Sequence, residues 1–131
     1  MKDSGTQKFI FDERLDRGFL DELFDGDAVY AEVVFEDFLR DLPDYWKEVE
    51  TAHDDQDIPG LRTSVHKCKT LFGYVGFTDI QHLCQQLEDN CSGDPTAAVA
   101  RDYLFLAQRK EEARQIIENE HRRLRSFNAL S

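Results

Sequence analysis

Turn-forming residues and positive charge are both scarce in this chain. Seven Gly and three Pro in 131 residues leave few places to reverse direction, which argues against an all-β fold of many short strands. Lys and Arg total 16 against 27 Asp and Glu, for a formal charge of -11. Nucleic acid and anionic membrane surfaces would repel such a chain. No apolar run approaches the ~20 residues of a membrane span, and the first residues lack the basic start and apolar stretch of a signal peptide. The expectation is a cytoplasmic protein. Cysteine is sparse as well: Cys68, Cys84 and Cys91 form no CxxC pair and read as small apolar core residues rather than disulfide or metal ligands.

What is present is helical periodicity. Residues 1–16 read as a loosely ordered N-terminal segment, and a single helical domain is expected over 17–127. A short helix is predicted over Arg17–Phe24, ended by Gly26, with Asp27 capping the next. That next helix carries an apolar stripe at Ala31, Phe35, Phe38, Leu42, Tyr45, Val49 and Ala52, spaced three and four apart. Pro43 predicts a kink or break near Leu42, and His53–Gly60 reads as a connection. Leu61, Val65, Cys68, Phe72 and Val75 mark another helix, interrupted at Gly76. Phe77, Ile80, Cys84, Leu87 and Cys91 mark the one after it, with Thr78 and Gln81 at capping-box spacing. Asp94 and Pro95 suit the start of a last helix, from Pro95 to about Phe127. An antiparallel bundle buries four such stripes together. With every stripe satisfied inside one chain, a monomer is expected.

One side chain stands apart from this apolar pattern. At ~100° per residue the five apolar residues of the second long helix cluster in one direction, and His66 falls about 140° away, on the water side. Arg62 and Lys69 lie one turn before and after it, with Thr70 and Gly73 on the same surface. Between Asp57 and Asp79 there is no acidic residue, while Arg62, Lys67 and Lys69 give this stretch a charge of +3. An exposed neutral imidazole is nucleophilic at cytoplasmic pH. Lys69 is placed to offset the charge of a phosphoryl group on it. Nothing else in the chain supplies a complete catalytic apparatus. His53, His82 and His121 are scattered and show no metal-ligand spacing, and the aromatic residues at helical spacing read as core.

The run His66-Lys67-Cys68-Lys69, followed by Gly73, Gly76 and Leu83-Cys84-Gln85-Gln86-Leu87-Glu88, resembles the histidine phosphotransfer (HPt) domains of multistep phosphorelays. The resemblance implies an all-α, up-and-down four-helix bundle, here with a short extra N-terminal helix. It implies that His66 accepts phosphoryl groups from receiver-domain aspartates, with Lys69 as charge partner and Arg62, Lys67, Thr70, Gly73 and Tyr74 in the docking surface. Such a domain has no kinase site and no cofactor of its own; Mg²⁺ belongs to the partner, a response-regulator receiver or hybrid histidine kinase. Where the family usually has glycine four residues after the histidine, this chain has Thr70, which takes up space over the ring or donates a hydrogen bond to phosphoryl oxygens. That departure keeps an alternative in view: a non-transferring module that binds and regulates a receiver or kinase.

Overall fold

The computed structural model describes residues 7–93 and 96–130. Among them there are five helices and no strand: α1 (Arg17–Phe24), α2 (Ala28–Asp54), α3 (Ile58–Tyr74), α4 (Thr78–Cys91) and α5 (Thr96–Ala129). Helix α2 packs on both α3 and α5, and α4 packs on the same two. The apolar stripes therefore close on one another. Phe35, Phe38, Leu61, Val65, Phe72, Ile80, Leu87, Leu106 and Ile117 are fully buried or nearly so. Phe72 stands against Phe38 and Phe77, with ring centroids 5.7 and 6.3 Å away, so the helix bearing His66 is braced from behind by aromatic packing. No helix among the described residues is long and apolar enough to cross a membrane.

Several boundaries have visible local causes. Asp16, Asp27 and Asp57 each accept a hydrogen bond from the backbone N–H three residues on, at Phe19, Tyr30 and Gly60. These satisfy donors that a helix start leaves unpaired. Asp25 and Gly26, at φ 48° and 81°, reverse the chain between α1 and α2. The expected connection over His53–Gly60 is shorter than the sequence suggests, because Asp57 caps α3 and Pro59 sits within its first turn, where a missing N–H costs nothing. Pro43 does not break α2. It lies on the exposed face, so its ring stays out of the core and the helix forgoes only the bond that Pro43 cannot donate to the Leu39 carbonyl. The Thr78–Gln81 capping box does not form. Phe77 is the N-cap residue, without a side-chain bond. Thr78 Oγ1 instead donates to Asp16 (2.9 Å) and Gln81 Nε2 to the Lys69 carbonyl (3.3 Å). The Asp94–Pro95 start lies outside the described residues.

Residues 7–16 depart from the loosely ordered segment expected there. Phe9, Phe11 and Leu15 are buried while Lys8 and Ile10 face outward, the alternation of an extended strap with one apolar side. Phe9 packs edge-on against Phe127, and Phe11 lies near Phe24 and Phe35. Polar ties fix the strap's backbone. Asp12 N–H donates to Glu120 (2.9 Å), Arg123 donates to the Ile10 carbonyl (2.9 Å), and Arg17 donates to the Phe11 carbonyl (2.8 Å). Glu120 reads in the sequence as a charge interrupting the α5 stripe. It is buried and paired with Arg123, which is how a charge is tolerated in such a place.

Candidate functional site

Helix α3 presents His66 on its outer face, with the side chain 61% exposed, as its angular offset from the apolar stripe predicts. The ring is not free to turn. Its Nδ1 lies 2.9 Å from Oε1 of Glu88 on α4, a carboxylate only 8% exposed. A carboxylate has no proton to give, so the neutral ring donates its Nδ1–H there and keeps the Nε2 lone pair open. The other Glu88 oxygen, Oε2, is 3.0 Å from the Lys69 ammonium, which also donates to Gln85 Oε1 at 2.6 Å. Gln85 in turn donates to Asp89 (2.8 Å). One buried carboxylate thus holds both the imidazole and the nearest cation. The pairing is also what makes burial of that carboxylate tolerable.

The remaining residues singled out in the sequence divide. Lys67 is exposed and bonded to Glu48 of α2 (2.8 Å), which holds its ammonium above the ordinary lysine range. A surface pair of this kind contributes little and is readily exchanged. Arg62 is exposed and forms no ion pair among the described residues. Thr70 and Tyr74 are exposed one and two turns beyond His66. Together with His66 and Lys67 they line a groove of about 560 Å³ between α3 and the start of α2. Gly73 is a correction. It is buried, and a Cβ there would fall 2.1 Å from Gln81 Nε2. Its smallness serves the α3–α4 contact and opens no space above the histidine.

Two features of the site escape the linear reading. The acid-free stretch of sequence is not acid-free in space, since α2 brings Glu48 to Lys67 and α4 brings Glu88 to His66 and Lys69. The carboxylate at the histidine is part of the site, not an intruder upon it. A signal for Glu88 does exist in the sequence. Gln81, Gln85 and Glu88 form a polar row at helical spacing beside the apolar Ile80, Cys84, Leu87 and Cys91, and that row faces α3. The other histidines stay apart from the site: His53 stacks on Tyr103 at 3.6 Å, His82 is exposed on α4, and His121 lies 3.9 Å from Glu36. The three thiols are buried. Burial pushes Cys68 up to about 12 and raises Cys84 and Cys91 too, so none is a nucleophile in the folded chain.

A family model described as Hpt domain matches residues 33–126. No curated protein and no solved structure matches the chain.

Proposed function

The chain belongs to the Hpt domain family, and on that premise we propose that it relays phosphoryl groups through His66 between the aspartates of receiver domains. The observation carrying this reading is the hydrogen bond between His66 Nδ1 and the buried Glu88, made while the rest of the ring stands in water. In the transfer step the Nε2 lone pair attacks phosphorus, and an N–P bond forms as the P–O bond to the receiver's aspartate breaks. The aspartate leaves as a carboxylate. The Nδ1 proton stays in place, so the product is a phosphorylated imidazolium facing Glu88, and total charge is conserved. Lys69 is the charge partner of the new phosphoryl group, released from Gln85 or shared with it. Arg62 and Lys67 add weaker positive potential, and Thr70 and Tyr74 belong to the docking face. Activation of the phosphoryl group falls to the Mg²⁺ and acidic pocket of the receiver. The chain acts as a phosphocarrier, not as a kinase. Its working form in this reading is a cytoplasmic monomer, an antiparallel up-and-down bundle of α2–α5 with α1 added.

The test is transfer from a phosphorylated receiver domain. Acid-labile, alkali-stable label is expected on the wild type and none on His66→Gln. Label that persists on His66→Gln, or a wild type that no receiver labels, defeats the reading. Thr70 favours a second one, because its β-branched side chain stands one turn from His66 where the family usually has glycine. On that view the chain binds a receiver or histidine kinase without taking its phosphoryl group. Receiver affinity equal in wild type and His66→Gln, with no label on either, would select it.

A further inference from the structure

The strap and the far end of α5 enclose a second groove, of about 690 Å³. Lys8 and Ile10 come to it from the strap, and Asn119, Arg122, Arg123 and Ser126 from α5. It shares no lining residue with the groove beside His66. Helix α5 packs on α2 and α4, whereas His66 stands on α3, so an occupant here leaves the imidazole open. Charge sets the place apart. After Glu120 the sequence has three Arg and no Asp or Glu, in a chain of net charge -11. Arg122, Arg123 and Arg125 are all exposed. Arg122 donates to the Asn119 amide oxygen, and neither it nor Arg125 forms an ion pair among the described residues. The helix dipole does not explain them, because its effect falls off within the last turn and the last turn of α5 has no basic residue. Arg123 has a structural task. It pairs with Glu120, donates to the Ile10 carbonyl, and lies 4.7 Å over the Phe9 ring. That anchorage fixes the strap's backbone and leaves the Ile10 side chain 56% exposed beside the cations. Lys8 meets Asp21 at 3.3 Å in an exposed pair, which a stronger carboxylate partner can replace.

We propose that this groove docks an acidic segment of a partner protein. Carboxylates of the segment engage Arg122 and Lys8, and one apolar side chain rests on Ile10. A guanidinium suits a carboxylate because its planar fork donates two parallel N–H bonds, and clusters of Arg recur where acidic motifs are recognised. Charge also selects against other anions. Nucleic acid and anionic membranes present negative charge over a wide surface, which meets the repulsion of the whole chain. A short segment lying in the groove meets chiefly the local positive potential. The site therefore tethers the molecule to an acidic partner while His66 stays accessible.

The inference stands apart from the carrier reading, and its test needs no phosphoryl transfer. The full chain is titrated at low salt into a fluorescein-labelled synthetic peptide of Glu and Asp residues with one central Phe, and anisotropy is read. Saturable binding is expected, weakening as salt rises. Arg122→Glu should weaken it at least tenfold and Arg122→Gln about threefold, with circular dichroism confirming that both variants are folded. Exchanging the peptide's Phe for Gly should cost several-fold. Lys47→Glu changes net charge by the same amount as Arg122→Glu at an exposed position on α2, and should move the affinity less than twofold. Absence of saturable binding overturns the proposal. So does an equal loss in Lys47→Glu and Arg122→Glu, which would mean that overall charge and not the groove governs the contact. Binding to phosphatidylserine vesicles but not to the peptide overturns it too, in favour of a membrane.

Discussion

In the proposed relay His66 and Lys69 carry the chemistry, and Glu88, in contact with both, ties them together. By holding Nδ1 it leaves Nε2 as the nitrogen open for the proposed transfer and aims the ring, and orientation of this kind is worth an order of magnitude or more in rate. Glu88→Ala is therefore expected to lower the transfer rate constant about tenfold with little change in receiver KM, because Glu88 is buried beneath the proposed docking face. Glu88→Gln should recover much of the loss, since the amide oxygen still accepts the Nδ1 proton. Rapid-quench kinetics at saturating receiver measure both variants. A purely structural role for Glu88 predicts lower thermal stability with no kcat-specific effect and no rescue by glutamine. The exposure of His66 was legible in the sequence, because the angle between one residue and an apolar stripe is set by helix geometry alone. Its partner was not so plain, because contact between α3 and α4 depends on how two helices pack.

At the scale of elements, the turn from α3 to α4 sets the relation between His66 and Glu88, and two glycines there do different work. Gly76 has φ 87°, and a Cβ on it would lie 2.8 Å from Leu20 Cδ1 and 3.3 Å from the Asp16 backbone nitrogen. Gly76→Ala meets both a disfavoured backbone conformation and a crowded strap, and should cost about 2 kcal/mol. Gly73 is helical, and the only group its Cβ would displace is the end of the Gln81 side chain. The better helix propensity of alanine, about 1 kcal/mol, offsets the lost bond from Gln81 to the Lys69 carbonyl. Gly73→Ala should stay within about 1 kcal/mol of wild type. Thermal melts of the two variants decide the matter, and a Gly76→Ala protein as stable as wild type would contradict this account of the turn. The helices themselves were legible because apolar residues recur every three or four positions and aspartates cap three of the starts. The failures share a cause. Thr78 and Gln81 have the spacing of a capping box, but Asp16 and the Lys69 carbonyl compete for the same side chains, and those partners come from other elements.

Across the whole molecule, residues over a hundred positions apart are joined where the strap meets α5. Asp12 N–H donates to Glu120 while Arg123 reaches the Ile10 carbonyl. The strap resembled a loose tail in the sequence because its Phe9-x-Phe11 alternation is too short to stand out, and its anchors lie at the far end of the chain. Its acid response follows from one group. Hydrogen bonds from Arg14, reinforced by the charges of Arg14 and Arg123, hold the Asp12 carboxyl down at about 2 against the burial that would raise it. A carboxylate whose folded value is depressed adds stability above its unfolded value near 4, and that stability is lost as pH falls through 4 toward 2. Asp12→Asn should consequently be less stable than wild type at neutral pH, by about 1 kcal/mol or less because Arg14 is solvent-exposed. The two proteins should converge as the pH approaches 2. Urea unfolding at pH 7, 4 and 2.5 measures the gap, and a difference that stays constant across those values would mean that the Asp12 charge does not help to hold the strap on the bundle.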